Sequence, residues 1–215
     1  MIGHVNDSSF ETYTPGAPAY GGVALSPTQS GFYVPLVRSL MEEREKAFSG
    51  ASFVFTSSTP REGVSVVVDR IARELAAVSG EKVLIAMTAA IGNFAPSAEP
   101  DAHEPVLREG DGVFRLAPPR SANSATRVER FELLRQLTRL FSFVLIDAPA
   151  LSVSSEALEF GARSQGIVLV AAAGRVRRNR LLQTKRMIDV AGAPLLGCAL
   201  NRRTYPIPDF LYKRL

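Results

Sequence analysis

Five short runs rich in apolar and β-branched residues, at 52–57, 82–87, 143–147, 167–172 and 195–200, constrain this chain more than any other feature. A strand open to water on one face alternates apolar with polar residues. A run that is apolar nearly throughout belongs where both faces are covered, in a parallel sheet sandwiched by helices. The intervening segments supply those helices. Val34, Val37, Leu40 and Met41 recur at helical spacing within 33–47, as do Val66, Val67, Ile71, Leu75 and Val78 after the first run. Phe131, Leu134, Leu137 and Leu140 line up along 127–140, and further helices are expected near 154–164 and over 178–191. Strand and helix in alternation predict an α/β fold with a doubly wound, mostly parallel sheet.

The rest of the chain reads as connections. Residues 91–111, rich in Pro, Ala and acids, predict a long loop, and 112–116 a short strand after it. The first 31 residues mix Gly, Pro, Ser and Thr and read as a flexible leader, without the basic start and apolar core of a secretory signal. One domain over 32–204 follows, and 205–215 form a tail that opens on an extended Pro segment.

Composition narrows the function classes. The longest apolar stretch, at 166–174, is far short of the roughly 20 residues that cross a bilayer, so no membrane span is expected, and without a secretory signal a cytoplasmic location is expected. One cysteine, Cys198, allows no internal disulfide and reads as a small buried residue, and two histidines, His4 and His103, make a poor metal-ligand set. The net charge is +4, yet residues 171–215 hold ten Lys/Arg against two acids. That basic end suits phosphate, anionic lipid or an acidic partner as well as plain solvent.

In open α/β sheets the ligand crevice lies beyond the carboxyl ends of the strands. Two sequence signals fall there. Ser57-Ser-Thr-Pro-Arg-Glu-Gly-Val-Ser65 joins the first strand to a helix, the position of a loop that presents backbone N–H groups to phosphate. Phe143-Val-Leu-Ile-Asp-Ala-Pro149 ends a central strand in a carboxylate, Asp147.

Together these runs resemble the ATPase domain of the bacterial tyrosine kinases that partner polysaccharide co-polymerases, with a loop of the form Ser-x-x-Pro-Gly-Glu-Gly-Lys-Ser/Thr. The resemblance extends over about 33–203 and implies a P-loop NTPase fold of the SIMIBI-like type. Ser58, Pro60, Glu62, Gly63 and Ser65 match the family's loop, and Asp147 matches its Walker B carboxylate. Val64 stands where the family has the lysine that reaches the β- and γ-phosphates, and Arg61 replaces a glycine. A lysine about 4 Å from a phosphate charge contributes roughly 4 kcal/mol at an effective dielectric near 20, on the order of a thousandfold in affinity. Valine contributes none of it. Met87 and Ala89 occupy the two positions of the family's Asp-x-Asp, and neither ligates a hard cation. Of the ring-forming Glu-x-x-Arg-x-x-Arg only Arg38 remains, and of the tyrosine cluster only Tyr205 and Tyr212.

The resemblance with these losses predicts a vestigial nucleotide pocket at Ser58, Arg61, Gly63, Val64, Ser65 and Asp147, with no catalytic residues, no metal ligands and no required cofactor. It predicts a catalytically inactive kinase-like subunit, cytoplasmic and peripheral to the inner membrane, which acts with a chain-length or polysaccharide co-polymerase protein in exopolysaccharide synthesis or export. Membrane contact and a homo-oligomer are compatible with it, and no nucleic acid is expected. Two alternatives stay open. One is an active atypical ATPase or tyrosine autokinase that uses ATP and magnesium through Ser65, Asp147 and Arg61, or through residues supplied by a partner chain. The other is a positioning protein resembling the division-site and partitioning ATPases.

Overall fold

The computed structural model describes residues 33–92, 106–117 and 126–202. The expected leader, the tail with Tyr205 and Tyr212, and both histidines lie outside the described residues.

The described part of the chain opens on helix α1 (Val34–Glu45), then strand β1 (Ala51–Ser57), helix α2 (Val64–Ser79) and strand β2 (Val83–Met87). A five-residue helix α3 (Thr88–Gly92) follows, then β3 (Val106–Gly110) and β4 (Val113–Leu116). Helix α4 (Arg127–Leu140), β5 (Phe143–Asp147), α5 (Glu156–Gly161), β6 (Gly166–Ala172), α6 (Arg178–Val190) and β7 (Leu195–Asn201) complete it. The strands form one seven-stranded sheet in the order β3-β4-β2-β5-β1-β6-β7, parallel except for the antiparallel β3–β4 pair.

The central strands behave as their composition predicts. Every residue of β1 and of β6 is buried, so both faces must be covered. Side chains alternate between faces along a strand, and β1 divides accordingly. Phe53 and Phe55 enter a core with Val37 and Leu40 of α1 and Ile71 and Leu75 of α2. Val54 enters the opposite core with Ile91 of α3, Leu134 and Leu137 of α4, Phe160 of α5 and Ile188 of α6. The sheet is doubly wound, as expected.

Four expectations need correction. Residues 91–111 are not all loop: α3 ends within them at Gly92, and β3 forms the antiparallel edge. On α2 the buried arc is Val67, Val68, Ile71, Ala72, Leu75 and Ala76, while Val66 and Val78 are exposed. On α4 Leu133 is buried and Leu140 is exposed, because the inward arc starts one residue earlier than the leucine spacing suggests. Cys198 is exposed, not buried, since β7 is an edge strand with one side uncovered.

Candidate functional site

The register across the sheet sets where the crevice lies. Met87 on β2, Asp147 on β5 and Phe55 on β1 are neighbours in one row, so β1 runs two residues past that row before the loop at 58–63 begins. Asp147 therefore stands beside the start of α2, and Met87 stands beside Asp147.

The loop keeps its shape through three devices. Arg61 has φ 68° and Gly63 φ 90°, both in the left-handed region. Glycine is at ease there, whereas a side chain costs about 1–2 kcal/mol. Gly63 is also pressed against Asn201: a Cβ at Gly63 would lie 2.2 Å from Asn201 Nδ2. That amide donates to the Glu62 carbonyl at 2.9 Å. Third, the Glu62 side chain is buried at 3% exposure. It accepts from the Thr59 N–H at 2.6 Å, the Thr59 hydroxyl at 2.8 Å and the Ala172 N–H at 3.1 Å. A buried carboxylate persists when its lone pairs are met, and here it staples the loop onto the end of β6.

Helix α2 then starts without a side-chain cap and with no acidic residue in its first turn. Helix α4 shows the contrast: Thr126 and Glu129 form a reciprocal capping box there. The leading N–H groups of α2 have no such side-chain partner, the condition under which a helix start receives an anion.

The expected pocket residues fall into three groups. Ser65 and Asp147 are together, since the Ser65 hydroxyl is a hydrogen-bond partner of the carboxylate. Burial pushes the Asp147 pKa up, and the Ser65 hydrogen bond and the Arg115 guanidinium pull it partly back. Gly63 and Arg61 shape the loop, with the Arg61 side chain exposed. Ser58 and Val64 turn elsewhere. The buried Ser58 hydroxyl accepts from Thr184 at 2.9 Å, and Val64 packs against the core beneath α2.

Other partners escape a reading of the sequence. Arg115 on β4 bonds Glu109 and reaches Asp69 at 3.3 Å. Arg73 joins the network through Asp69 at 3.1 Å. An arginine inside an otherwise apolar four-residue strand was the signal available for Arg115. Thr184 and Asn201 lie more than a hundred residues from the loop they contact, and nothing local marks them.

Beside the loop a groove of about 710 Å³ runs between α1, the start of α2 and the β7 edge, lined among others by Tyr33, Leu36, Gly63, Cys198 and Asn201. Partial burial, and then the Glu62 carboxylate, push the Cys198 thiol pKa up. Among the described residues no three His, Cys, Asp or Glu side chains cluster as a metal site, and no helix is long and apolar enough to cross a membrane.

No family model matches the chain. Over 71 residues, 33% of this chain, it is 28% identical to the tyrosine-protein kinase CpsD of Streptococcus agalactiae, and the match spans 31% of that kinase's own length. In fold it is similar to the chimerical protein CapA2B2, with a TM-score of 0.67 at 23% identity over 84% of this chain and 87% of that one. It is also similar to the kinase domain of VpsO, at 0.66 and 17% identity over 82% and 95% of the two chains. A ParA family ATPase from Chlorobium tepidum follows at 0.56 and 13% identity over 72% and 75%. The chain has the fold of P-loop ATPases and resembles the bacterial tyrosine kinase domains.

Proposed function

We propose, from that resemblance to bacterial tyrosine kinase domains, that the chain is a kinase-like subunit without catalytic activity. It works beside a membrane polysaccharide co-polymerase in exopolysaccharide synthesis or export, cytoplasmic and peripheral to the inner membrane through that partner. The observation that carries this reading is Val64. It stands where the related loop has its phosphate-reaching lysine, and its side chain packs against the core instead.

The neighbouring losses agree in kind. Phosphoryl transfer relies on cations placed against developing negative charge. Met87 stands in register with Asp147 where a second carboxylate would share a magnesium ion, and Ala89 lies on the short α3. A lone carboxylate beside a thioether is a weak site for a hard cation. What the fold retains is shape, which suffices for a partner that reads a surface.

A second reading, residual nucleotide binding with or without turnover, draws on the uncapped start of α2 and the intact Ser65–Asp147 pair. Titration calorimetry with ATP and ADP plus magnesium separates the two, repeated on Val64→Lys. The subunit reading expects no heat from the native chain and binding by the variant. Micromolar binding by the native chain, with turnover abolished in Asp147→Ala, would replace it with the second reading. Co-purification of the native chain with the co-polymerase, independent of added nucleotide, tests the partner.

A further inference from the structure

The face of α6 that points away from the sheet carries a surface that neither the loop nor the kinase resemblance explains. Thr184 and Ile188 are the buried residues of this helix. At 100° per residue, Leu182, Arg186 and Val190 fall diametrically opposite them, on the stripe where an ordinary surface helix is polar. Leu182 is 43% exposed and Val190 89%, with Met187 at 40% on the flank. Each is an apolar side chain held in water.

Cations surround that stripe. Arg175, Arg177, Arg178 and Arg180 crowd six consecutive residues at the start of the helix, all exposed, with Lys185 and Arg186 further along. The helix has no acidic residue in its first turn, and its Asp189 is taken by Lys185 at 2.6 Å. None of the five arginines takes part in an ion pair among the described residues. Four of them stand at the positive end of the helix dipole, where cations are disfavoured. The arrangement is costly in isolation and calls for an external anion.

We infer that the outer face of α6 binds the anionic surface of a lipid bilayer, with Leu182 and Val190 entering the headgroup layer and the arginines engaging lipid phosphates. The two exposed apolar side chains on the outer stripe, Leu182 and Val190, decide in favour of lipid. A nucleic acid backbone or an acidic protein segment matches the arginines but has no use for a leucine and a valine on either side of Arg186. Interfacial helices pair an apolar stripe with flanking Lys and Arg, whose aliphatic stems lie along the boundary while the charges reach the headgroups.

Vesicle sedimentation of the full chain tests this with lipids alone, so its outcome is separate from that of the co-polymerase and nucleotide experiments. Binding to phosphatidylcholine vesicles containing phosphatidylglycerol is expected, with none to phosphatidylcholine alone and weakening as salt rises. Each arginine removed weakens binding about fivefold, so replacing Arg175, Arg177, Arg178 and Arg186 by serine lowers it by more than about a hundredfold. Leu182→Ser with Val190→Ser lowers it about tenfold at unchanged charge, and circular dichroism checks that these exposed changes leave the fold intact. The chain has no tryptophan, so Leu182→Trp supplies a single probe whose emission shifts to the blue only when the side chain leaves water. Equal sedimentation with both vesicle types, or none with either, overturns the proposal. So does wild-type binding by the double serine variant with no emission shift, together with competition by duplex DNA or polyglutamate, which would make the face a general polyanion surface.

Discussion

Arg61 occupies a backbone conformation that suits the glycine of the related loop, and the chain keeps the conformation without the glycine. The left-handed penalty of about 1–2 kcal/mol is partly offset by the extra unfolded-state freedom a glycine would bring. Arg61→Gly is therefore expected to stabilise the protein by about 0.5–1 kcal/mol in urea denaturation, a direction opposite to that of most substitutions. Asp147 gives a second test, through pH. Its folded-state pKa is raised, so between the ordinary carboxylate value and that raised value the folded state binds more protons than the unfolded one. Stability contributed by the protonated form is present below this window and lost as pH rises through it. Asp147→Asn, which removes the charge and keeps an acceptor for Ser65, should be more stable than the wild type at neutral pH, and the difference should vanish in acid. Denaturation midpoints across pH read it directly. At this scale the sequence showed which side chains of the related loop had changed, since Val64 and Arg61 are visible by inspection. It did not show Glu62 as a staple to Ala172 or Asn201 as the wedge against Gly63, because those contacts join residues far apart in the chain.

The order of the elements was legible for a physical reason: strands buried on both faces are mostly apolar, and β2, β5 and β6 are nearly so throughout, while β1 buries Ser52, Thr56 and Ser57 beside its phenylalanines. Strand β3 was not legible. Val106–Gly110 is an edge strand with Arg108 and Glu109 exposed or half-exposed, and its pairing with β4 comes from the turn at Asp111 and Gly112, both at positive φ. Helix faces were legible to within one residue of rotation, which is why Val66, Val78 and Leu140 came out exposed: apolar spacing defines an arc but not its centre. Packing between elements supplies a further prediction at Gly50, where the turn into β1 crosses the end of α4. Its N–H donates to the Thr138 carbonyl at 2.6 Å, and an added Cβ would lie 1.9 Å from the Phe141 carbonyl oxygen. Backbone cannot yield as a side-chain tip does, so Gly50→Ala should cost about 3 kcal/mol and lower the Tm by roughly 10 °C in a thermal melt.

Taken whole, the domain divides its stability from its chemistry. Both cores lie within the sheet sandwich, built on the same strands whose carboxyl ends carry the loop, so Val64, Met87 and Ala89 can differ from the related kinases while the packing stays intact. The outer face of α6 and the groove beside β7 are surfaces added to that frame without cost to the core. The groove has a practical use that follows from its lining. Cys198 is the only cysteine in the chain, and it stands at the groove wall with Gly63 and Asn201. A maleimide fluorophore coupled near neutral pH, where amines stay protonated and the raised thiol pKa only slows the reaction through a smaller thiolate fraction, is directed to this one thiol. The native protein thus carries an addressable optical reporter within the same groove as Gly63, and anything that settles in that groove will announce itself as a change of colour or brightness.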